Sequence, residues 1–434
     1  MVKYQEHHIH VISMKHISTE KTEYAPKKTQ RKRYTPGVSN GKGKDEEPKY
    51  WSCNRIAAME ADYSIVYGER GNGKTYAVQE LVLKDWVESR ERMLAAEDEN
   101  VKGCTLHQSF MLRRWKDDVG PSKAENFWDG NMLEKLKEWT DNEFTGITLK
   151  NRAYYACTYD DKGKPLYNEQ TDCIGYVWSL SEAERLKGQS YPFVTTIIFE
   201  EFISMYQNGY IGGDEEVTLL MNIVSTIARD RLNVRIWMLG NTVNPYNPYF
   251  KYFGFKAEDV KQGEIRCYED EKTGCRVAVE YCGKRRKGSL RGTSAKYFPG
   301  DSSVSRMITG GMWQLPEVPV MKPKEVWWMK SLFNMSLHFD DHLIAVRMFR
   351  KDDGYTFVYI SEVKALQWKE GPDNPVLTTK PVPKAGWYTD VRAVKHRAIE
   401  KFFECMNAKR VWYDSRETGS YWNTYINSLR AVAR

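Results

Sequence analysis

No stretch of this 434-residue chain is apolar for long enough to cross a membrane. The N-terminus, Met1-Val2-Lys3-Tyr4-Gln5-Glu6-His7-His8, lacks the apolar core that a signal peptide needs. Eight cysteines stand at positions 53, 104, 157, 173, 267, 275, 282 and 405, and none forms a C-x-x-C pair. Neither a zinc ribbon nor a dithiol redox motif is therefore indicated, and a cytoplasm-type compartment with reduced thiols is the simplest expectation. His7, His8, His10 and His16 have no cysteine or carboxylate framework beside them, which removes a metal site there. No strong charge excess exists either: Lys+Arg is 65 against Asp+Glu 58, a net of +7, compatible with a polyanionic partner without identifying one. Acids run out at the C-terminus, where Gly419 to Arg434 contains no Asp or Glu.

What the chain does have is length enough for two or three domains, a wealth of aromatic residues (14 Trp and 27 Tyr) and one glycine motif. Gly68-Glu69-Arg70-Gly71-Asn72-Gly73-Lys74-Thr75 fits G-x-x-x-x-G-K-[ST], the Walker A pattern. Tyr63 to Tyr67 before it reads as a strand. Ala77, Val78, Leu81, Val82 and Trp86 after it recur at helical spacing. Strand, glycine loop and helix are the context in which backbone N–H groups converge on phosphate oxygens at a helix N-terminus. Lys74 would reach the β- and γ-phosphates, and the Thr75 hydroxyl would ligate Mg²⁺.

Further strands are expected at Ser109–Arg113, Tyr154–Thr158 and Ile174–Leu180. Phe193 to Phe202 is an apolar run with Glu200 and Glu201 near its end, the pattern of a buried parallel strand carrying a Walker B pair. Glu200 would hold the metal and Glu201 would polarise the attacking water. Asp214 to Asp230 has a helical apolar stripe and leads to Arg229 and Arg231. Asn233 to Asn241 is another buried strand, whose terminal Asn241 would lie beside the glycine loop at the carboxyl edge of the sheet, placed to sense the γ-phosphate or orient water.

Walker A, the loop Ser181-Glu182-Ala183-Glu184-Arg185-Leu186-Lys187-Gly188, an I-I-F-E-E-F Walker B, an Arg-x-Arg and a Leu-Gly-Asn strand end follow one another. This combination resembles the phage DNA-packaging ATPases, the large-terminase or encapsidation proteins, and is most similar to those of small podophages of the Picovirinae type. The resemblance implies a P-loop NTPase of the ASCE type, built on a parallel sheet, followed by a small RNase H-like α/β domain. It implies ATP and Mg²⁺ as cofactors and a homo-oligomeric ring, a pentamer, docked on a phage portal in the host cytoplasm. Double-stranded DNA is the implied partner, a membrane is not, and a bridging structural RNA is left open. In such a ring an arginine from the neighbour completes each site; Arg229 or Arg231 is the candidate carried over, with Lys187 a weaker one.

Four segments are expected. Residues 1–48 read as a basic, flexible tail that is either solvated or an arm on nucleic acid. Residues 49–250 form the ATPase core. Residues 251–324 form a lid or linker subdomain whose basic run Lys284, Arg285, Arg286, Lys287 and Arg291 either faces solvent or contacts phosphates, followed by a stiff stretch at Pro316, Pro319 and Pro323. Residues 325–434 contain a hairpin around Asp352-Asp353-Gly354, a helix over 391–406 and a strand ending on Asp414. Asp340 and Asp414 match two carboxylates of the nuclease, and Asp390 reads as a helix cap. The last segment offers no further acid, so a nuclease fold without nuclease activity is expected. The reading is an ATP-driven DNA translocase. Its rivals are a full terminase with an active nuclease, a P-loop kinase and a nucleotide-gated scaffold without a catalytic base.

Overall fold

The computed structural model describes residues 14–19, 50–96, 106–128, 130–204, 209–213, 215–282, 318–339, 342–362, 374–378, 386–389, 394, 396 and 398–432. They divide into two compact units, one within Met1–Met205 and Tyr210–Gln314, the other within Leu315–Arg434 together with Tyr206–Gly209.

The first unit carries strands β1 (Met14–Thr19), β2 (Tyr63–Gly68), β3 (Gln108–Arg113), β4 (Gly146–Lys150), β5 (Ala153–Tyr159), β6 (Pro165–Leu166), β7 (Cys173–Ser179), β8 (Val194–Glu200), β9 (Arg235–Asn241), β10 (Ile265–Asp270) and β11 (Arg276–Tyr281). Its helices are α1 (Asn54–Ala57), α2 (Lys74–Ala95), α3 (Pro121–Glu125), α4 (Gly130–Trp139), α5 (Glu215–Ala228) and α6 (Pro248–Tyr252). The strands form one sheet in the order β1-β10-β11-β2-β9-β8-β3-β7-β5-β4, with β6 on β5. From β11 to β7 all neighbours run parallel.

The alternation of side chains explains why the central strands are apolar without a break. Val66, Met111, Ile198 and Leu239 face a core built with Val78, Val82, Leu83 and Trp86 of α2 and with Met132 and Leu136 of α4. Ile65, Tyr67, Phe110, Phe199 and Met238 face the other way, onto Val217, Leu220, Ile223 and Ile227 of α5 and onto Tyr249 and Phe250 of α6. Strands covered on both faces need apolar residues at every position.

Two expectations for this unit are corrected. The N-terminal tail contains a strand: β1 pairs antiparallel with β10, Met14 opposite Asp270. Its hydrogen bonds go to a partner some 250 residues away, and local composition cannot announce such a partner. Nor is 251–324 a separate subdomain. Arg276–Tyr281 lies parallel against the strand that precedes the glycine loop, Val279 opposite Ile65, so the hairpin β10–β11 belongs to the main sheet.

The second unit holds β12 (Ser331–Phe339), β13 (His342–Arg350), β14 (Thr356–Glu362), β15 (Val376–Thr378), β16 (Trp387–Tyr388) and β17 (Val411–Tyr413), with α7 (Ile399–Asn407) and α8 (Arg416–Val432). Its sheet order is β16-β15-β12-β13-β14-β17. An antiparallel meander β12–β13–β14 is flanked by parallel β15 and β16 on one side and parallel β17 on the other. The helix expected over 391–406 starts only at Ile399 among the described residues, and Val394 is buried outside it. Pro319 and Pro323 do not mark a free linker. Tyr413 N–H donates to the Pro319 carbonyl, and Met321 N–H donates to the Tyr413 carbonyl, which stitches this stretch to β17. Asp340, Asp390, Lys284, Arg285, Arg286, Lys287 and Arg291 lie outside the described residues.

Candidate nucleotide site

The glycine loop leaves β2 at Gly68 and enters α2 at Lys74. Gly71 and Gly73 take φ +71° and +93°, left-handed values that a side chain disfavours. Space also matters at Gly68, where a Cβ would come within 2.7 Å of the Cys282 Cβ. The loop is braced from outside. Trp51 N–H donates to the Asn72 carbonyl at 3.0 Å, Cys282 N–H to the Tyr67 carbonyl at 2.8 Å and Thr242 N–H to the Gly68 carbonyl at 3.1 Å. The Trp51 indole donates to Glu280 Oε1 at 2.9 Å. Glu280 is otherwise buried, with Oε2 unpartnered, and burial pushes its pKa up to about 7.

Lys74 is buried, and its ammonium donates to the carbonyls of Gly68 and Glu69, to Asn72 Oδ1 and, at 3.3 Å, to Asn241 Oδ1. Asn241 comes from the end of β9, opposite Gly68 in the register. Glu200 closes β8, and Glu201 follows it with φ +55°. A non-glycine residue in that conformation is held there by its surroundings. Glu69, Arg70, Thr75 and the other loop residues complete the motif; Arg70 to Tyr76, Arg113, Asp118, Lys123, Phe127, Glu200, Glu201 and Asn241 are among the residues lining one cavity of about 800 Å³.

Two arginines that sequence reasoning passed over organise the carboxylates. Arg113, the last residue of β3, places Nη2 2.5 Å from Glu200 Oε2 and Nη1 3.1 Å from Glu201 Oε2. Arg114 is buried and works on the backbone instead. It donates to the carbonyls of Glu201 (3.1 Å) and Phe202 (2.7 Å), while its Nε reaches both oxygens of Glu216. Glu216 also accepts from the Tyr249 hydroxyl at 2.6 Å and from Ile211 N–H at 2.7 Å. Burial works against the Arg114 charge, and the Glu216 carboxylate restores it. The visible signal for both was a buried strand, Phe110-Met111-Leu112, closing on two cations.

Glu200 is almost fully buried, and burial raises its pKa. The Arg113 guanidinium and the Thr75 hydroxyl oppose that rise, and Glu201 adds to it. Apart from the Arg113 ion pair, neither Glu200 oxygen is placed for a well-directed hydrogen bond. A buried carboxylate whose charge is met by Arg113, next to a hydroxyl and a phosphate-type loop, offers oxygen ligands that fit a hard divalent cation.

The proposed trans residues lie elsewhere. Arg229, at φ +48° after α5, donates to the Gln189 carbonyl. The Arg231 guanidinium serves the carbonyls of Tyr191, Pro192 and Val194, at the start of β8 rather than its end, and that of Ile227 in α5. Burial and the Arg229 charge lower the Arg231 pKa. Lys187 is exposed and pairs with Glu184 at 2.5 Å. In the second unit, Asp414 follows β17, and its Oδ2 accepts from Glu362 N–H at 2.9 Å. β12, the strand before Asp340, is separated from β17 by β13 and β14, or roughly 14 Å at ordinary strand spacing. The strands that lead to Asp340 and Asp414 are therefore not neighbours in the sheet, whereas metals in such sites lie about 4 Å apart.

A glycine loop at the carboxyl edge of a doubly covered parallel sheet, facing two acids, defines a mixed α/β protein with its ligand site where such sheets place it. Within that class the family is fixed by residues 46–295, which match the profile of the Podovirus DNA encapsidation protein (Gp16); the chain belongs to this family. It is 26% identical over 239 residues to the DNA packaging protein of Bacillus phage phi29, covering 55% of this chain and 59% of that protein. It is 31% identical over 200 residues to the DNA packaging protein of Bacillus phage B103, covering 46% and 50%. The chain thus spans between half and three-fifths of the length of these relatives. A solved structure of the bacteriophage Phi-29 viral genome packaging motor assembly covers 88% of this chain and 99% of its own at 18% identity, with a TM-score of 0.55, a likeness of fold.

Proposed function

We propose that this chain is an ATP-driven double-stranded DNA translocase that packages a phage genome into a procapsid. The observation that carries the reading is the gathering of Lys74, Thr75, Glu200, Glu201 and Asn241 around one cavity in a chain of the encapsidation family. The separation of the glycine-loop strand from the acid-bearing strand by one intervening strand, β9, supports the ASCE type of P-loop ATPase.

Lys74 exchanges its loop oxygens for the β- and γ-phosphates when ATP binds. Thr75 and Glu200 would hold Mg²⁺, which when bound supplies charge neutralisation at the phosphate oxygens. Glu201 takes the proton of the attacking water, and Asn241 orients that water or reads the γ-phosphate. Arg113 restrains the Glu201 carboxylate. A guanidinium 3.1 Å away occupies the carboxylate, so the pair must loosen before Glu201 can reach the water. Arg114 fixes the backbone that aims Glu201. In a ring, Arg229, Arg231 or Lys187 of one subunit would face the nucleotide of the next and stabilise charge on the transferring phosphoryl group. The partners are duplex DNA, a portal and further copies of this chain, acting on a procapsid inside the host.

The strand order of the second unit, an antiparallel meander whose first strand pairs with parallel β15, which in turn pairs with parallel β16, supports an RNase H-like domain. The distance between the end of β12 and β17 supports a domain without nuclease activity. The test is ATP turnover with and without duplex DNA and empty capsids. Stimulation by both, lost in Lys74→Ala, is expected. Lys74-dependent turnover that neither DNA nor capsids change would overturn the motor reading and leave a stand-alone NTPase.

A further inference from the structure

The second unit displays two adjacent indoles to solvent: Trp327 is 80% exposed and Trp328 69%. Their presentation is fixed rather than incidental. Val326 is buried against Phe349, Phe357 and Tyr359, with Met321 and Met329 packed on the same cluster. Pro323–Glu325 forms a 3₁₀ turn, and Val326 and Trp327 N–H groups both donate to the Pro323 carbonyl. The Tyr359 hydroxyl donates to the Met321 carbonyl at 3.1 Å. With Val326 and Met329 turned inward, the two residues between them turn outward. Covering two indoles would remove about 150–250 Å² each from water, a gain that the isolated chain forgoes.

The surroundings name the ligand chemistry. Lys322, Lys324 and Lys330 are exposed, and no ion pair joins them to an acid among the described residues. The neighbouring acid, Glu325, turns Oε1 to Lys322 N–H at 2.9 Å. Protein interfaces enrich Trp but deplete Lys at their core. A membrane-binding element of this kind is an amphipathic helix with a broad apolar face, and the turn has no such face. Duplex DNA buries the flat faces of its bases within its own stack. A polyanion with free base faces matches both features, because indoles stack on bases and lysines meet phosphates.

We infer that the Lys322–Lys330 turn is a stacking platform for unpaired nucleotides, set apart from the nucleotide site and independent of how that site works. The unpaired strand could be DNA or RNA, and the turn's chemistry serves either.

The test uses the full chain and fluorescence anisotropy with labelled oligothymidylate, oligouridylate and a duplex of matched length. Trp327→Ala with Trp328→Ala should weaken binding of the unpaired oligomers by on the order of 10- to 100-fold and leave duplex binding unchanged. Trp→Phe at both positions should recover much of that loss. Replacing Lys322, Lys324 and Lys330 by Gln should flatten the salt dependence of the same binding by up to about three phosphate contacts' worth. Comparison of the thymidylate and uridylate arms identifies the source. The proposal is overturned if the Trp variant binds unpaired oligomers like the parent, if it loses duplex equally, or if it instead loses binding to anionic phospholipid vesicles. Thermal unfolding and circular dichroism of the Trp variant that match the parent verify the fold of the second unit.

Discussion

In the first unit β8 ends on Glu200, and the strand beyond β9 is the one that carries the glycine loop. The acid arrives one strand from Asn241 and two from Lys74, with Arg113 reaching across from β3. In the second unit β17 also ends beside an acid, Asp414, at the carboxyl end of a parallel strand. That strand sits at the sheet's margin, three steps from β12, and its carboxylate caps the Glu362 N–H. The two acids look alike along the chain. What separates the carboxylate proposed to act on nucleotide from the one that caps a strand is the order in which strands are laid side by side.

The comparison breaks most visibly at the proposed trans residue. Arg229→Ala should cut turnover by about 10³–10⁵ while leaving thermal stability close to that of the parent. Arg231→Ala should cost stability as well, because four carbonyls lose their donor. Mixing Arg229→Ala with Lys74→Ala subunits should restore part of the activity; a mixture as inactive as either parent removes the trans assignment.

Next in size, Glu201→Gln should keep ATP binding and lose about 10²–10⁴ in turnover, measured by single-turnover hydrolysis. Asp414→Asn, the matching change in the other sheet, should leave turnover within a factor of about two and cost roughly 1 kcal/mol of stability at most, the worth of one capping hydrogen bond. Comparable activity losses in the two variants would dissolve the distinction.

Arg114→Met should destabilise the first unit by about 3–5 kcal/mol in denaturant unfolding, because it strands the buried Glu216 carboxylate. Arg114→Met with Glu216→Leu should recover a large part of that. No recovery would show that Arg114 acts through the Glu201 carbonyl alone.

The last effect depends on pH. The folded-state pKa of Glu280 is raised to about 7 by burial, so the folded chain binds more protons than the unfolded one between the ordinary carboxylate range and neutrality. Its contribution to stability therefore falls as pH rises through that window and is constant above it. Glu280→Gln should match the parent near about pH 4 and exceed its stability by up to about 3 kcal/mol near about pH 8. An equal difference at both values would show that the carboxyl does not titrate there.

The glycine loop and the acid pair at the end of β8 were legible because each is contiguous: the spacing of a few residues carries the chemistry. So were the hairpins around Gly274 and Gly354, whose φ values of +69° and +83° are what their turns need. Arg113 and Arg114 were visible as residues but not as partners, since nothing local says that β3 lies beside β8. β1 was hidden for the same reason, its partner β10 standing at the far end of the unit. The strand that ends beside Asp414 lies at the sheet's margin, three steps from β12, and nothing local in the sequence announces that order.

One consequence of the strand order concerns synthesis of the chain. β2 is flanked by β9 and β11, and Gly68 is packed by Cys282. About two hundred residues separate the loop from that last support, so at ordinary elongation rates the loop emerges roughly 10–40 s before its cradle can close. A nascent chain that has passed Thr75 but not Cys282 exposes an open edge on β2 and a glycine loop with no wall behind it. The wall behind the loop is complete only after the hairpin β10–β11 has docked, so on the proposed reading ATP capture would mark completed folding of the first unit.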